Sequence, residues 1–274
     1  GGESPKVPEA EGKRSGGILE TRGLTRHFGG LAAVSHLDLS VQPGEFFGLI
    51  GPNGSGKTTV FNLISGVIPP TQGKIRFAAA DITGAAPHAI TRLGLARTFQ
   101  ITALFQSFTV LENVLLGTYG IVRVHPLSSF FQTQGARLAE REQRERALEL
   151  LRFLGIDRLK DEVARNLPLG HQRILELAIA LASRPKMLLL DEPFSGLSAE
   201  ESREMIARIQ KIREGKTTVM LVEHNIRIVM GLCDRMAVLN FGRKISEGTF
   251  AQVSRDPEVI KAYLGTKRYA ADRS

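Results

Sequence analysis

The chain has one cysteine, no tryptophan, three tyrosines and no apolar stretch of membrane-spanning length. Each scarcity removes a class of protein. Cys233 alone cannot form an internal disulfide, which fits a reducing compartment. At the end of an apolar helical segment it reads as a small buried side chain, not as a nucleophile. With so few large aromatics, the chain advertises no base-stacking surface for nucleic acid. Its richest apolar region, "AIALASRPKMLLLDEP", is broken by Arg184, Lys186 and Asp191. Nothing therefore approaches the roughly 18 to 20 apolar residues that cross a bilayer. The opening "GGESPKVPEAEGKRSGG" lacks an apolar core, so it is no secretory signal, and residues 1–17 read as a disordered leader or a cloning remnant.

What is present is ordinary for a soluble globular protein: 274 residues, 42% hydrophobic and 23% charged. The net charge of +8 suits nucleic acid, an anionic surface or a polyphosphate. No basic block accompanies it. The densest candidate, "RLAEREQRER" at 137–146, alternates acids with bases and reads as a solvated helix. Direct nucleic-acid binding is not expected.

Residues 18–50 read as strands joined by turns, 57–67 as a helix and 73–83 as a return to strand. From about 87 to 183 the pattern is mainly helical, with an aperiodic loop over 119–136. Strand and helix then alternate through "KMLLLDEP", "AEESREMIARIQKIR", "TTVMLVE", "NIRIVMGLC" and "RMAVLNFG". That alternation implies βαβ units around a parallel sheet, interrupted by a helical insertion.

"GPNGSGKTT", Gly51 to Thr59, carries the strongest chemistry. It fits the spacing G-x-x-x-x-G-K-[ST], follows an apolar strand and opens a helix. N–H groups across Asn53, Gly54, Ser55 and Gly56 would wrap phosphates, with Lys57 reaching the β and γ positions. Thr58 would offer its hydroxyl to Mg²⁺, with Thr59 beside it. "MLLLDEP" ends an apolar strand in Asp191 and Glu192. Asp191 would hold Mg²⁺, and Glu192 would take a proton from attacking water. His224, after the strand "TTVMLV", could donate a hydrogen bond to a γ-phosphate. Gln100 in "RTFQ" is suited to orienting a water or completing a Mg²⁺ shell. The segment "NLPLGHQRILELAIALASRP" has a helix start with no obvious capping side chain, so its first N–H groups lack partners.

The order of P-loop, Gln100, "LPLGHQR", "MLLLDEP", "SGLS" and His224 resembles the nucleotide-binding subunit of an ABC transporter, over roughly 18–265. The resemblance implies an α/β fold: a P-loop NTPase core with a mostly parallel sheet, an N-terminal antiparallel β subdomain and a helical subdomain inserted at about 101–183. It makes 18–265 a single domain, with 266–274 as a tail. Leu169, Gly170 and His171 would meet the γ-phosphate of ATP bound to an opposite subunit. Phe28 would stack on adenine with Val34 beside it, and Ser195 to Ser198 would cross the dimer interface. The long 119–136 segment and "DPEVIKAYLG" resemble ATPases of branched-chain or hydrophobic amino-acid importers. The implied cofactors are ATP and Mg²⁺. The implied partners are membrane permease subunits, a second ATPase chain, identical or related, and indirectly a substrate-binding protein. The implied location is peripheral, on the cytoplasmic face of the plasma membrane. Three positions depart from the family pattern: Pro168 for the usual Ser, His171 for Gln and Ser198 for Asp. None of them touches Lys57, Asp191 or Glu192. A soluble ABC ATPase of a non-transport assembly complex would share every motif and differ in its partner.

Overall fold

A computed structural model describes residues 16–98, 104–119 and 134–263. Two sheets organise it. Strands β1 (Leu19–Phe28) and β2 (Leu31–Val41) form a hairpin through Gly29 and Gly30, and pair onward with β4 (Gln72–Phe77) and β5 (Ala80–Asp81). The result is an antiparallel sheet of order β2-β1-β4-β5. The second sheet holds β3 (Phe46–Ile50), β6 (Leu95–Arg97), β7 (Met187–Asp191), β8 (Thr218–Val222), β9 (Arg235–Asn240) and β10 (Arg243–Gly248). Its order is β10-β9-β3-β8-β7-β6, and every neighbour pair is parallel except β10 on β9.

Strands β3, β7 and β8 are buried at every position, and almost wholly apolar, because both faces of this sheet are covered. On β7 the side chains of Met187 and Leu189 enter one core and those of Leu188 and Leu190 the other. The first core is closed by α1 (Lys57–Ile64) and the antiparallel sheet, through Val60, Phe61, Leu24 and Phe77. Helices α3 (Val110–Tyr119), α4 (Gln134–Leu154), α5 (Leu169–Ala182), α6 (Ala199–Glu214) and α7 (Ile226–Leu232) close the second. Two short helices, α2 (Pro87–Arg92) and α8 (Phe250–Val253), and a helical stretch over 257–263 are also present. In α4, Ala147, Leu151 and Leu154 form the buried stripe, at helical spacing, while the charged "EREQRER" face stays in water. Helix α6 starts at a capping box, Ser198 with Glu201, and carries Lys211 and Arg213 in its last turn.

Two expectations shift. Helix α3 reaches Tyr119 and α4 begins at Gln134, so both intrude on the segment read as loop. The first turn of α4 is polar and offered no apolar period to read. Strand β10 was also not legible: an edge strand, it carries Ile245 as its one apolar side chain. The sheet order leaves β3 between β9 and β8. The chain therefore leaves β3 and β7 into loops at one edge, the crevice where open α/β sheets hold ligands.

Candidate nucleotide-hydrolysing site

The loop after β3 is shaped by close backbone approach. A Cβ at Gly51 would lie 2.2 Å from the Leu239 carbonyl oxygen, and one at Gly56 2.4 Å from that of Ala33. Gly56 is also left-handed, with φ 103, and precedes α1 without a side-chain cap, so the first N–H groups of α1 remain available. Lys57 folds back over the loop, its Nζ donating to the carbonyls of Gly51 at 2.8 Å and Pro52 at 3.0 Å. Burial lowers the Lys57 pKa, while the negative charges of Glu192 and Asp191 pull it back up. A cavity of about 400 Å³ opens above. Asn53, Gly54, Lys57, Thr58, Thr59 and Glu192 are its polar and loop lining. Leu31, Ala32, Ala33 and Phe241 supply its apolar lining.

Asp191 and Glu192 leave β7 in different directions. Asp191 is buried, and its Oδ2 takes a hydrogen bond of 2.7 Å from Arg97 Nη2. Arg97 Nη1 reaches Asn62 Oδ1 at 2.8 Å and Ser65 Oγ at 3.0 Å, which ties β6, β7 and α1 together. Sequence reasoning passed over Arg97; its only signal was a cation closing an apolar strand. Asp191 Oδ1 is buried with no hydrogen-bond partner among the described residues. Glu192 is left-handed, φ 46, a strained state for a non-glycine residue. Its N–H donates to the Val222 carbonyl at 3.0 Å and its own carbonyl accepts from Ser195 N–H at 3.0 Å, and these bonds hold the turn.

Glu223, also passed over, sits buried beside that turn. Its carboxylate accepts N–H bonds from Phe194 (3.4 Å), His224 (3.1 Å) and Asn225 (3.4 Å), so one side chain spans the loops after β7 and β8. Burial raises its pKa, against the lowering effect of those bonds and of His224. The His224 ring is largely exposed, with Nδ1 3.7 Å from Glu223 Oε2.

Helix α5 starts after Pro168 with no side-chain bond at the cap. A side chain from another helix nonetheless lies against this start. Glu201, from the first turn of α6, lies against Gly170, where an added Cβ would come 2.7 Å from Glu201 Oε1. The carboxylate comes from a residue distant in sequence, so no local pattern announced it. Leu169 is exposed and His171 half-buried.

Val34 is fully buried in the core and cannot touch a ligand in the cavity. Successive strand residues face opposite sides, and it is Ala33 that lines the cavity wall. Phe28 is 49% exposed at the β1–β2 tip, paired with Leu31, and the Arg26 guanidinium lies 4.8 Å from its ring centre. Gln100 lies outside the described residues, as do 1–15, 120–133 and the 266–274 tail.

A glycine loop, a buried lysine at a helix start and two acids ending a neighbouring parallel strand define a P-loop nucleotide hydrolase. More closely, the chain belongs to the ABC transporter family: the family profile described as ABC transporter matches residues 34–195. A second profile, "Branched-chain amino acid ATP-binding cassette transporter", matches residues 243–268. The chain is 41% identical over 249 residues to the high-affinity branched-chain amino acid transport ATP-binding protein BraF of Pseudomonas aeruginosa, covering 90% of this chain and 98% of that one. It is 39% identical, at the same coverage, to LivG of Escherichia coli, which bears the same description. Among solved structures, a nucleotide-free ATP-binding cassette from an ABC transporter superposes with a TM-score of 0.78 at 31% identity, over 90% of this chain and 98% of that one. The fold is thus that of an ABC ATPase cassette, and the chain is an ATPase.

Proposed function

We propose that the chain hydrolyses ATP to power a bacterial importer of branched-chain or other hydrophobic amino acids, acting as one of a closed pair of ATPase chains. The observation that carries the chemistry is that Lys57, Thr58 and Glu192 line one cavity. The cargo follows from relatives about 40% identical along nearly their whole length. Loop N–H groups and Lys57 bind the β- and γ-phosphates, and Lys57 exchanges its two carbonyl partners for phosphate oxygens. The residues fit Mg²⁺: Asp191 has one oxygen without a partner among the described residues, and Thr58, which carries a hydroxyl, lines the cavity, a set that would leave the ion the waters and phosphate oxygens it prefers. When bound, the ion offsets charge on the phosphates. Glu192 takes the proton of a water attacking the γ-phosphorus, and His224 donates a hydrogen bond to the γ-phosphate. Gln100 would orient the water.

No helix among the described residues is long and apolar enough to cross a membrane. Transport therefore assigns the membrane path to permease partners, with the cassette peripheral on the cytoplasmic face and cargo selection in a substrate-binding protein. An exposed aromatic pair, Phe105 and Phe108, stacked at 5.3 Å between centroids just before α3, supports docking at the helical region. The test is co-purification: polytopic membrane proteins should accompany the chain, and a soluble scaffold in their place would overturn the reading.

Lys57→Ala is expected to lower MgATP affinity roughly 10- to 150-fold, since hydrogen bonds to charged groups contribute about 1.5–3 kcal/mol each. Calorimetric titration checks this, and unchanged affinity would remove the phosphate assignment. Gly170→Asp is expected to spare ATP binding by the single chain but block ATP-dependent pairing, read by light scattering in a Glu192→Gln background. Because Glu201 crowds Gly170, the informative control adds Glu201→Ala. Pairing restored by that change would trace the block to the crowding and not to a phosphate in the partner chain.

A further inference from the structure

The turn joining β9 to β10 reads Asn240-Phe241-Gly242-Arg243, with Asn240 paired to Arg243. Phe241 and Gly242 both have positive φ, 45 and 77, the geometry of a two-residue hairpin turn that favours Asn-Gly. Phenylalanine suits its first position poorly. It is held left-handed, and 85% of its surface is exposed, so it buries almost nothing in return. Neither turn chemistry nor packing accounts for an aromatic ring here.

Its surroundings do. The turn is fixed to the phosphate loop on one side, where Gly242 N–H donates to the Ser55 carbonyl at 3.0 Å. On the other side it is fixed to β2, where the Gly242 carbonyl accepts from Ser35 N–H at 2.8 Å. Phe241 is thereby held on the 400 Å³ cavity, which it lines together with the lysine and threonines of α1. Leu31, itself 70% exposed, and Ala32 also line the cavity. Leu31, Ala32, Ala33 and Phe241 are the apolar side chains lining this cavity, so a nucleotide with its phosphates on the loop can set its base against them.

We infer that Phe241 is a base-positioning residue, forming with Leu31 a wall for the nucleobase that is separate from Phe28. Phe28 is not among the residues lining the cavity, and the Arg26 guanidinium lies against its ring. The inference rests on the nucleotide-binding reading above. Stacking uses the π face that every base offers, so this wall tightens ATP and GTP binding alike and leaves the phosphates untouched.

The test compares MgATP with magnesium tripolyphosphate, which has the same phosphate chain and no base, by calorimetric titration of the whole chain. Phe241→Asn is the informative variant, because asparagine is the residue the turn favours and the fold should be no less heat-stable. ATP affinity is expected to fall about tenfold, on the order of one lost base–aromatic stack, with tripolyphosphate affinity unchanged. Phe241→Trp should keep ATP affinity near that of the unsubstituted chain. If Phe241→Asn leaves ATP affinity unchanged, or weakens both ligands equally, Phe241 is not a base wall. If the unsubstituted chain binds neither ligand, the failure lies in the nucleotide-binding reading itself, and this inference falls with it.

Discussion

Glu192→Gln is expected to bind MgATP normally and to hydrolyse it about 10²–10⁴ times more slowly, the range a positioned general base contributes. Glutamine keeps the shape and hydrogen-bonding reach of the side chain but cannot accept the proton of the attacking water. The backbone is not disturbed. Residue 192 is held left-handed by its bonds to Val222 and Ser195, which are made by main-chain atoms and survive the change. Steady-state turnover and nucleotide affinity, measured together, separate chemistry from binding. Turnover within about threefold of the unsubstituted chain would move the base elsewhere. One alternative, Glu223, already has its oxygens engaged by three backbone N–H groups and lies buried away from solvent.

Arg97→Ala is expected to lower stability by about 3–5 kcal/mol, the usual consequence of removing one partner from a buried ion pair. Arg97 and Asp191 have side-chain exposures of 7% and 0%, so solvent cannot compensate the abandoned carboxylate. For a chain of this size that is a fall in Tm of roughly 6–20 °C. Adding Asp191→Asn removes the uncompensated charge and should recover a large part of the loss. Arg97→Lys should fall between, since an ammonium cannot replace the guanidinium fork that also reaches Asn62 and Ser65. Thermal unfolding of the single and double variants decides the point. A single variant that melts within a degree of the parent chain would show that Asp191 is held by something else.

The contrast between Glu192 and Arg97 marks what the sequence made legible. The phosphate loop and the two strand-end acids are local patterns, in which spacing alone fixes which groups meet, and the parallel core could be read from its doubly covered apolar strands. Arg97 meets Asp191 across 94 positions, and nothing near either residue names the other. Glu201 finds Gly170 in the same non-local way. Val34 failed for a different reason. The β1–β2 pairing shifts register three times between Thr21 and His27, so the in–out phase near the tip cannot be counted along the chain. The resemblance supplied the right strand and missed by one residue, and one residue is the difference between core and cavity.

The glycines around the phosphate loop have a consequence for how this protein can change. At Gly51, Gly56 and Gly242 an added Cβ would come 2.2, 2.4 and 2.8 Å from a carbonyl oxygen of β9 or β2. Three backbones therefore meet as a press fit, with no side chain between them to lengthen, shorten or turn. Such a joint has no adjusting screw: even the smallest substitution must force main chain apart. The N-terminal sheet, the phosphate loop and the β9–β10 turn are machined as one part. Mutation can reshape the base end of that part at its rim, where Leu31 and Phe241 stand free of the seam.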